Sequence, residues 1–136
     1  MSTIEENKNL IKNLFEEVSN QHNLDAVEKY WATDFINHNA FPGQLAGSMG
    51  VKLSLEHLFS VFPDYKEQII ALVAENNKVV AYVNLSGTHS KDFMGITTTN
   101  RFVKFKVMEI FSIENNKIQE MWVLADFSSL HQQLTT

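Results

Sequence analysis

The 136-residue chain contains no cysteine. Disulfide bonds, thiolate metal sites and a cysteine nucleophile are therefore excluded. The sequence also lacks the Gly-x-Ser-x-Gly turn that exposes a catalytic serine, and it has no glycine-rich strand–turn–helix that could bind a phosphate group. No two histidines stand at a short ligand spacing such as His-x-His, so we expect no metal site.

Positive charge is scarce and scattered along the chain. Eleven Lys and Arg residues stand against sixteen Asp and Glu, so the formal net charge is −5. Nucleic-acid binding depends on a basic patch, and because none is apparent we expect no nucleic-acid partner. The first ten residues, MSTIEENKNL, are polar, and no apolar run reaches the length of a membrane span. The sequence therefore predicts a soluble, cytoplasmic protein without a membrane partner.

Apolar residues at helical spacing dominate the first half of the chain. Of all residues, 44% are hydrophobic and 20% are charged, which is typical of one globular domain, here residues 1–136. Thr3 and Glu6 have the spacing of a capping box, which predicts a first helix that runs to about Asn20. The segment LDAVEKYW predicts a short second helix that presents Trp31. A third helix follows from an apolar stripe made of Val51, Leu55, Leu58, Phe59 and Phe62.

From residue 65 the pattern changes to an alternation of apolar and polar residues, which predicts strands. Two hairpins follow, each with the turn sequence ENNK, because Asn tolerates the positive φ that a two-residue type I′ turn requires. In the last hairpin, a turn at Asn115-Asn116 fixes which residues pair. The predicted pairs all lie on one face of the sheet: Ile113 with Ile118, Phe111 with Glu120, Glu109 with Trp122, Val107 with Leu124 and Phe105 with Asp126.

Helices followed by a meander of strands predict an α+β fold. We expect the N-terminal helices to pack in the concavity of a strongly curved antiparallel sheet, as a cone-shaped α+β barrel, because long strands twist and curl. A pocket would then lie between the helices and the sheet. The opposite face of the last hairpin is also apolar, which favours a homodimer that buries this outer sheet face. That face is predicted to carry Met108, Ile110, Met121, Val123 and Ala125.

Three carboxylates interrupt the apolar face of the last hairpin, namely Glu109, Glu120 and Asp126. An acidic residue on an apolar face lies either at a strand end in solvent or in a functional site. Asp126 could act as a catalytic base, or it could be the N-cap of a terminal helix FSSLHQQL. Glu109 has no such capping role, so it could line the pocket. His38 and His89 stand near predicted strand ends, where histidine is either a hydrogen-bonded structural residue or a ligand contact.

Four stretches together resemble the SnoaL-like polyketide cyclase family, within the nuclear-transport-factor-2-like fold. They are LFEEVSNQHNLDAVEKYWATDFINHN, FPDY, VAENNKVVAYVNLSGTHSKDFMGITTTN and KIQEMWVLADFSSLHQQL. The resemblance implies a pocket inside the cone and no metal or organic cofactor. In such cyclases an Asp that follows the Trp of the last strand acts as acid and base, and Asp126 after Trp122 matches it. His38 in NHN and His89 in GTH match recurrent pocket histidines.

On this resemblance the catalytic residues would be Asp126, His38 and His89. A small hydrophobic ligand in the cone pocket would contact aromatic and acidic side chains, namely Trp122, Glu109, Phe105, Phe111, Trp31 and Phe59. The aromatic residues among them would be core residues in almost any fold. The chain departs from the family pattern at Ser90-Lys91-Asp92, which replaces a Gly after GTH, and at Asn116, which replaces a turn Gly. These changes leave the substrate open.

The predicted function is that of a cofactor-independent polyketide or ester cyclase, or of an isomerase, acting on a small hydrophobic carbonyl compound. Asp126 would take a proton from a carbon between two carbonyl groups, and His38 or His89 would hydrogen-bond the enolate oxygen. The substrate itself delocalises the enolate, so this chemistry requires neither metal nor cofactor. The alternative is a non-catalytic module of the same fold that binds a small ligand or takes part in assembly.

Overall fold

The computed structural model describes residues 3–40 and 43–136, in which four α-helices pack against a five-stranded mixed sheet. Helix α1, Ile4–Leu14, begins at the predicted capping box. The Thr3 hydroxyl accepts from the Glu6 backbone N–H at 3.1 Å, and the Glu6 carboxylate accepts from the Thr3 N–H at 3.3 Å. The helix continues as a π-helical turn over Phe15–Asn20. The first helical segment thus ends at Asn20, as predicted.

The second helical segment is shorter than the sequence predicts. A 3₁₀ turn, Leu24–Ala26, leads into α2, Val27–Tyr30. Trp31, predicted to be helical, instead opens strand β1, Trp31–Asn37. Trp31 pairs with Ile118 of the last strand, so pairing within the sheet overrides the helical spacing of the sequence.

Helix α3, Gly47–Val61, begins earlier than the predicted apolar stripe. Gly47 has a φ of +71°, in the left-handed region, and a Cβ at this position would lie 2.2 Å from the carbonyl oxygen of Thr33. Only glycine fits this approach. It brings the start of α3 directly against β1.

The remaining strands are β2 Lys66–Glu75, β3 Lys78–Thr88, β4 Phe102–Glu114 and β5 Lys117–Ala125, followed by α4 Phe127–Thr135. Their order in the sheet is β1-β5-β4-β3-β2. The α+β fold class and both Asn-Asn turns are confirmed, with positive φ at Asn76, Asn115 and Asn116. The prediction of a purely antiparallel sheet is wrong, because β1 lies parallel to β5. This pairing joins segments far apart in sequence, which no hairpin pattern reveals.

A β-bulge changes the predicted register of the last hairpin. Ile113 pairs with Ile118 as predicted, but Ser112 pairs with Glu120, which leaves Gln119 as an extra residue. Beyond the bulge every predicted pair is shifted by one residue. The observed pairs are Phe111 with Met121, Ile110 with Trp122, Glu109 with Val123, Met108 with Leu124 and Val107 with Ala125.

The bulge exchanges the two faces of β5, because neighbouring side chains in a strand point to opposite sides. Trp122 and Leu124 lie on the outer face, where Leu124 is 74% exposed. The inner face, which packs on the core under the helices, carries Met121, Val123 and Ala125. The predicted outer face is wrong for these three residues. The observed outer face remains apolar because Trp122 and Leu124 take their place.

A second bulge lies in β2. Ile69 pairs with Val83 and Ala71 pairs with Tyr82, so Ile70 is the extra residue. Residues before the bulge therefore change faces relative to the simple alternation, and Glu67 and Ile69 point to the inner face. Ile70, expected in the core, is 45% exposed.

Candidate acid–base site

Tyr65, Glu67 and Glu109 bring three ionisable side chains to the inner face. Glu67 lies on β2 opposite Leu85, and Glu109 lies on β4 opposite Ala81, so both point to the same side as these buried residues. Tyr65 precedes β2, and its hydroxyl donates a hydrogen bond to Oε1 of Glu67. Tyr65 and Glu67 are only 2% and 7% exposed, and Glu109 is half-buried. We call these three residues the acid cluster.

Burial keeps protons on the acid cluster. It raises the pKa of Glu67 to about 7, although the hydrogen bond from Tyr65 acts in the opposite direction. Burial raises the pKa of Glu109 well above the usual value for a carboxyl group, and the negative charge of Glu67 raises it further. Burial also raises the pKa of Tyr65, and the charge of Glu67 adds to this shift. Near neutral pH, Glu67 is therefore available in both forms, while the raised pKa values of Glu109 and Tyr65 favour their protonated forms.

One oxygen of the acid cluster has no partner. Oε1 of Glu67 accepts from Tyr65, but Oε2 is buried and forms no hydrogen bond within the described part of the chain. Buried polar atoms in proteins nearly always have a hydrogen-bond partner. Oε2 can therefore exchange a proton or a hydrogen bond with a bound molecule, as a general acid or base does.

Two side chains from the helical half hold the strand that carries Glu67. The side-chain amide of Asn20 accepts from the Glu67 N–H at 2.8 Å and donates to its carbonyl at 3.1 Å. Nε2 of His22 lies 2.8 Å from the carbonyl oxygen of Tyr65, and since a carbonyl only accepts, this nitrogen carries the proton. The His22 ring stacks on Phe59 at a centroid distance of 4.1 Å. Phe59, a predicted substrate contact, thus supports the residue that positions Tyr65.

His89 lies at the end of β3 and is fully buried. Its Nδ1 accepts a hydrogen bond from the Thr99 N–H at 3.1 Å, which fixes the ring proton on Nε2. That Nε2–H is buried and has no partner among the described residues. The ring lies 6.5 Å from the ring of Phe62. His89 therefore offers a fixed donor, of the kind that a carbonyl or enolate oxygen binds.

The bulge in β5 separates two other predicted site residues from the acid cluster. His38 and Trp122 stack with a centroid distance of 4.5 Å and an angle of 11°. His38 is exposed, and its Nε2 lies 3.0 Å from Oε1 of Glu120. The predicted proximity of Trp122 to Glu109 is wrong, because Gln119 inserts one residue and turns Trp122 to the outer face.

Asp126 is the N-cap of α4, and its Oδ1 accepts from the Ser129 backbone N–H at 3.0 Å. The side chain is exposed, so the predicted water-free environment of Asp126 is wrong. The cause is local, since the chain turns into α4 at the next residue, at the rim of the sheet, where solvent reaches the carboxylate. A role of Asp126 in proton transfer stays a prediction.

The other predicted ligand contacts are core residues. Phe111 is fully buried, and Phe105 and Trp31 are each 5% exposed. Phe111 packs edge-on against Phe15 of the π turn at a centroid distance of 6.3 Å. The indole N–H of Trp31 is buried and lacks a partner in the described ranges. Their contact with a ligand stays a prediction.

Sequence patterns do not reveal Tyr65 and Glu67 as site residues. Strict alternation places both on the face opposite the core, and only the bulge at Ile70 brings them inside. A signal is nevertheless present in the sequence. Six consecutive apolar residues, Ile69–Ala74, interrupt the alternation that a regular strand shows.

Within residues 3–40 and 43–136, no three His, Asp or Glu side chains converge as metal ligands would. The same ranges contain no helix that is both long and apolar enough to cross a bilayer.

Comparison with known proteins gives a family and a fold. The model of the SnoaL-like polyketide cyclase family matches residues 9–134. TsrD from Streptomyces laurentii superposes with a TM-score of 0.91 at 21% identity, covering 99% of this chain and 98% of TsrD. A SnoaL-like polyketide cyclase from Agrobacterium tumefaciens superposes with a TM-score of 0.83 at 20% identity, covering 98% of this chain and 99% of the cyclase. IdmH from Streptomyces antibioticus superposes with a TM-score of 0.83 at 22% identity, covering 96% of this chain and 99% of IdmH. No curated protein matches the chain by sequence.

Proposed function

Because the chain belongs to the SnoaL-like polyketide cyclase family, we propose that it is a cofactor-independent enzyme that moves a proton next to a carbonyl group of a small hydrophobic substrate. The reaction is a ring closure of the aldol type or a double-bond shift. The observation that carries this proposal is the buried Oε2 of Glu67, which has no partner among the described residues and lies beside two groups whose pKa values are raised, Glu109 and Tyr65. Such a set of groups suits general acid–base catalysis near neutral pH.

Each member of the acid cluster takes one role in this proposal. Ionised Glu67 accepts on Oε2 a proton from the carbon next to the substrate carbonyl, and the electron pair of the broken C–H bond forms an enolate. Protonated Glu109 donates a hydrogen bond to the enolate oxygen. Tyr65 occupies Oε1 of Glu67, so the proton arrives on Oε2. In a ring closure the enolate carbon attacks a second carbonyl carbon of the substrate, the π bond of that carbonyl breaks to give an alkoxide, and Glu67 returns the proton to the alkoxide. In a double-bond shift Glu67 returns the proton to a different carbon.

His89 supplies a second donor in this proposal. Its buried Nε2–H, without a partner in the described part of the chain, lies at the end of β3, beyond the Leu85 that pairs with Glu67. A substrate with a second carbonyl group can place that oxygen here. His38 is exposed on the outer face, and we give it no part in the proton transfer.

The family resemblance assigns the proton transfer to Asp126 instead of Glu67. Glu67 fits the task better because it is buried and has a free oxygen. Asp126 is exposed and uses one oxygen to cap α4. The two assignments differ in which substitution abolishes proton transfer.

The test is hydrogen–deuterium exchange at the acidic carbon of simple 1,3-dicarbonyl compounds, followed by proton NMR in D₂O. Wild-type protein should accelerate exchange, and Glu67→Gln, which has the same size but no basic group, should exchange about 100-fold more slowly. Glu56→Gln, at an exposed position on α3, is the control and should match wild type. Exchange at the wild-type rate in Glu67→Gln would exclude Glu67 as the base. If wild-type protein does not accelerate exchange, the result favours the alternative that the protein is a non-catalytic binding module.

We also propose a homodimer that buries the outer sheet face. Leu124 and Met108 are 74% and 44% exposed there, next to Ile110 and Trp122, which are half-buried. An extended apolar patch on a protein surface usually has a partner. A second copy of the same face is the simplest one, since it presents the same patch to its mate.

A further inference from the structure

A hollow of about 620 Å³ runs along the free edge of β2. β2 is the outermost strand of the sheet, so no strand of the described residues pairs with this edge. One side of the hollow is formed by Lys12, Glu16 and Asn20, which follow one another at four-residue spacing along α1 and the π turn. The other side is formed by polar residues of β2, β3 and β4, among them Lys66 and Lys104. The volume suits one small molecule.

The hollow is positively charged, although the chain as a whole has a net charge of −5. Lys12, Lys66 and Lys104 line it, and none of them forms an ion pair with another described residue. The acids in the lining are Glu16 and Glu67. Because burial raises the pKa of Glu67 to about 7, this carboxyl is only partly ionised near neutral pH. The three lysines therefore outweigh the negative charge of the two acids, so the lining has a net positive charge that favours an anionic ligand.

The edge of β2 adds a backbone donor to the hollow. Asn20 binds the N–H and the C=O of Glu67 from outside the sheet, so these groups point away from β3. By the alternation of an antiparallel strand, the N–H of Ile69 points the same way, because Ile69 precedes the bulge. Ile69 also lines the hollow. A carboxylate in the hollow can accept a hydrogen bond from this N–H as well as from the lysines.

We propose that this hollow binds the carboxylate of the substrate, which makes the substrate an organic acid that also carries the reacting carbonyl group. The carboxylate contacts Lys66 and Lys104, and the apolar remainder lies against Phe15 and Ile69 on the side of Glu67. Calling the ligand a substrate rests on the proposed function. The binding of an organic anion rests on the hollow alone.

Binding is measured by ¹⁵N–¹H NMR titration of the full chain with sodium benzoate, with its neutral counterpart benzamide and with inorganic phosphate. Benzoate should cause saturable shifts at the amides of residues in the lining, and benzamide and phosphate should each bind about tenfold more weakly. The double variant Lys66→Gln/Lys104→Gln should bind benzoate about tenfold more weakly than wild type. Lys78→Gln is the matched control, because Lys78 is an exposed lysine at the start of β3 and does not line the hollow. It should bind benzoate as wild type does.

The inference is overturned if benzoate causes no saturable shifts, if benzamide binds as tightly as benzoate, or if the double variant binds unchanged. Equal binding of phosphate and benzoate overturns it too, because the hollow would then hold an anion regardless of its organic part. None of these outcomes depends on turnover. A negative titration therefore leaves the exchange test of Glu67 intact, and a negative exchange test leaves the titration intact.

Discussion

Asn20 and Glu67 are 47 residues apart in the sequence, yet the side chain of Asn20 forms two hydrogen bonds with the backbone of Glu67, at 2.8 and 3.1 Å. The amide takes the position that a further strand would occupy beside β2. The π turn that ends at Asn20 contributes, because its wider turn changes which residues of the segment face the sheet. The position of Glu67 in the acid cluster thus depends on this side chain, as that of Tyr65 depends on His22.

Replacing Asn20 should destabilise the protein. Asn20→Ala leaves the N–H and C=O of Glu67 without these partners, so we expect the free energy of unfolding to fall by about 1–3 kcal/mol in urea denaturation. Asn20→Asp keeps the acceptor and loses the donor, so its free energy of unfolding should lie between those of wild type and Asn20→Ala. Gln21→Ala, at the adjacent exposed position, is the control and should stay within about 0.5 kcal/mol of wild type. Wild-type stability in Asn20→Ala would show that the pairing contributes nothing.

The free energy of unfolding should fall as the pH rises from about 4.5 to about 7. Burial raises the pKa of Glu67 from 4.5 to about 7, so in this window the folded state binds more protons than the unfolded state. The stabilising contribution is complete below pH 4.5 and is lost as the pH rises through about 7. Glu109, whose pKa burial also raises, acts in the same direction.

Urea denaturation at a series of pH values across this window measures the slope. Glu67→Gln cannot ionise, so it should flatten the decline in stability, whereas the exposed Glu56→Gln should leave it unchanged. If the free energy of unfolding of Glu67→Gln falls with pH as steeply as that of wild type, Glu67 is not the group that causes the decline.

Asp126→Asn separates capping from catalysis. Asn is as good an N-cap as Asp, so this variant should keep the wild-type stability, whereas Asp126→Ala should lose about 1 kcal/mol. With Glu67 as the base, we expect Asp126→Asn to exchange the hydrogen of a dicarbonyl probe within about twofold of the wild-type rate. A fall of about 100-fold with stability intact would instead identify Asp126 as the base, as the family resemblance implies.

A charge on the outer face should break the proposed homodimer. Leu124→Glu places a carboxylate in the apolar patch of the last hairpin, so sedimentation velocity at micromolar concentration should show a dimer for wild type and a monomer for the variant. Leu53→Glu is the control, because Leu53 is also exposed, at 46%, but lies on helix α3 and not on the sheet. A monomeric wild-type protein would argue directly against the dimer.

Local features of the fold can be predicted from the sequence because neighbouring residues determine them. The capping box at Thr3 depends on a residue three positions away, and the Asn-Asn turns depend on the backbone preferences of Asn itself. The change from helical to alternating spacing at residue 65 marks the start of the antiparallel strands β2 to β5 for the same reason.

The candidate site could not be predicted in the same way, because it depends on two one-residue bulges. Gln119 and Ile70 each add a residue to a strand that is apolar on both faces, so the alternation of side chains fits either register. The choice is made by packing against the helices, which involves distant residues. As a result Trp122 lies outside and Glu67 inside, the reverse of the simple pattern. For Asp126, the sequence already contained the alternative of an N-cap, and its geometry is that of a cap.

The side chains that hold β2 also bear on aggregation. An edge strand presents unpaired N–H and C=O groups that can template the addition of a strand from another molecule. His22 and Asn20 form hydrogen bonds with such groups at the beginning of β2. The apolar run that follows, Ile69–Ala74, receives no such side-chain hydrogen bond from the described residues of the helical half. If the chain is cleaved after His22 and the N-terminal fragment dissociates, the hydrogen bonds from Asn20 and His22 are lost. We expect the remaining protein to form β-rich fibrils that bind thioflavin T, with Ile69–Ala74 as the segment that starts them.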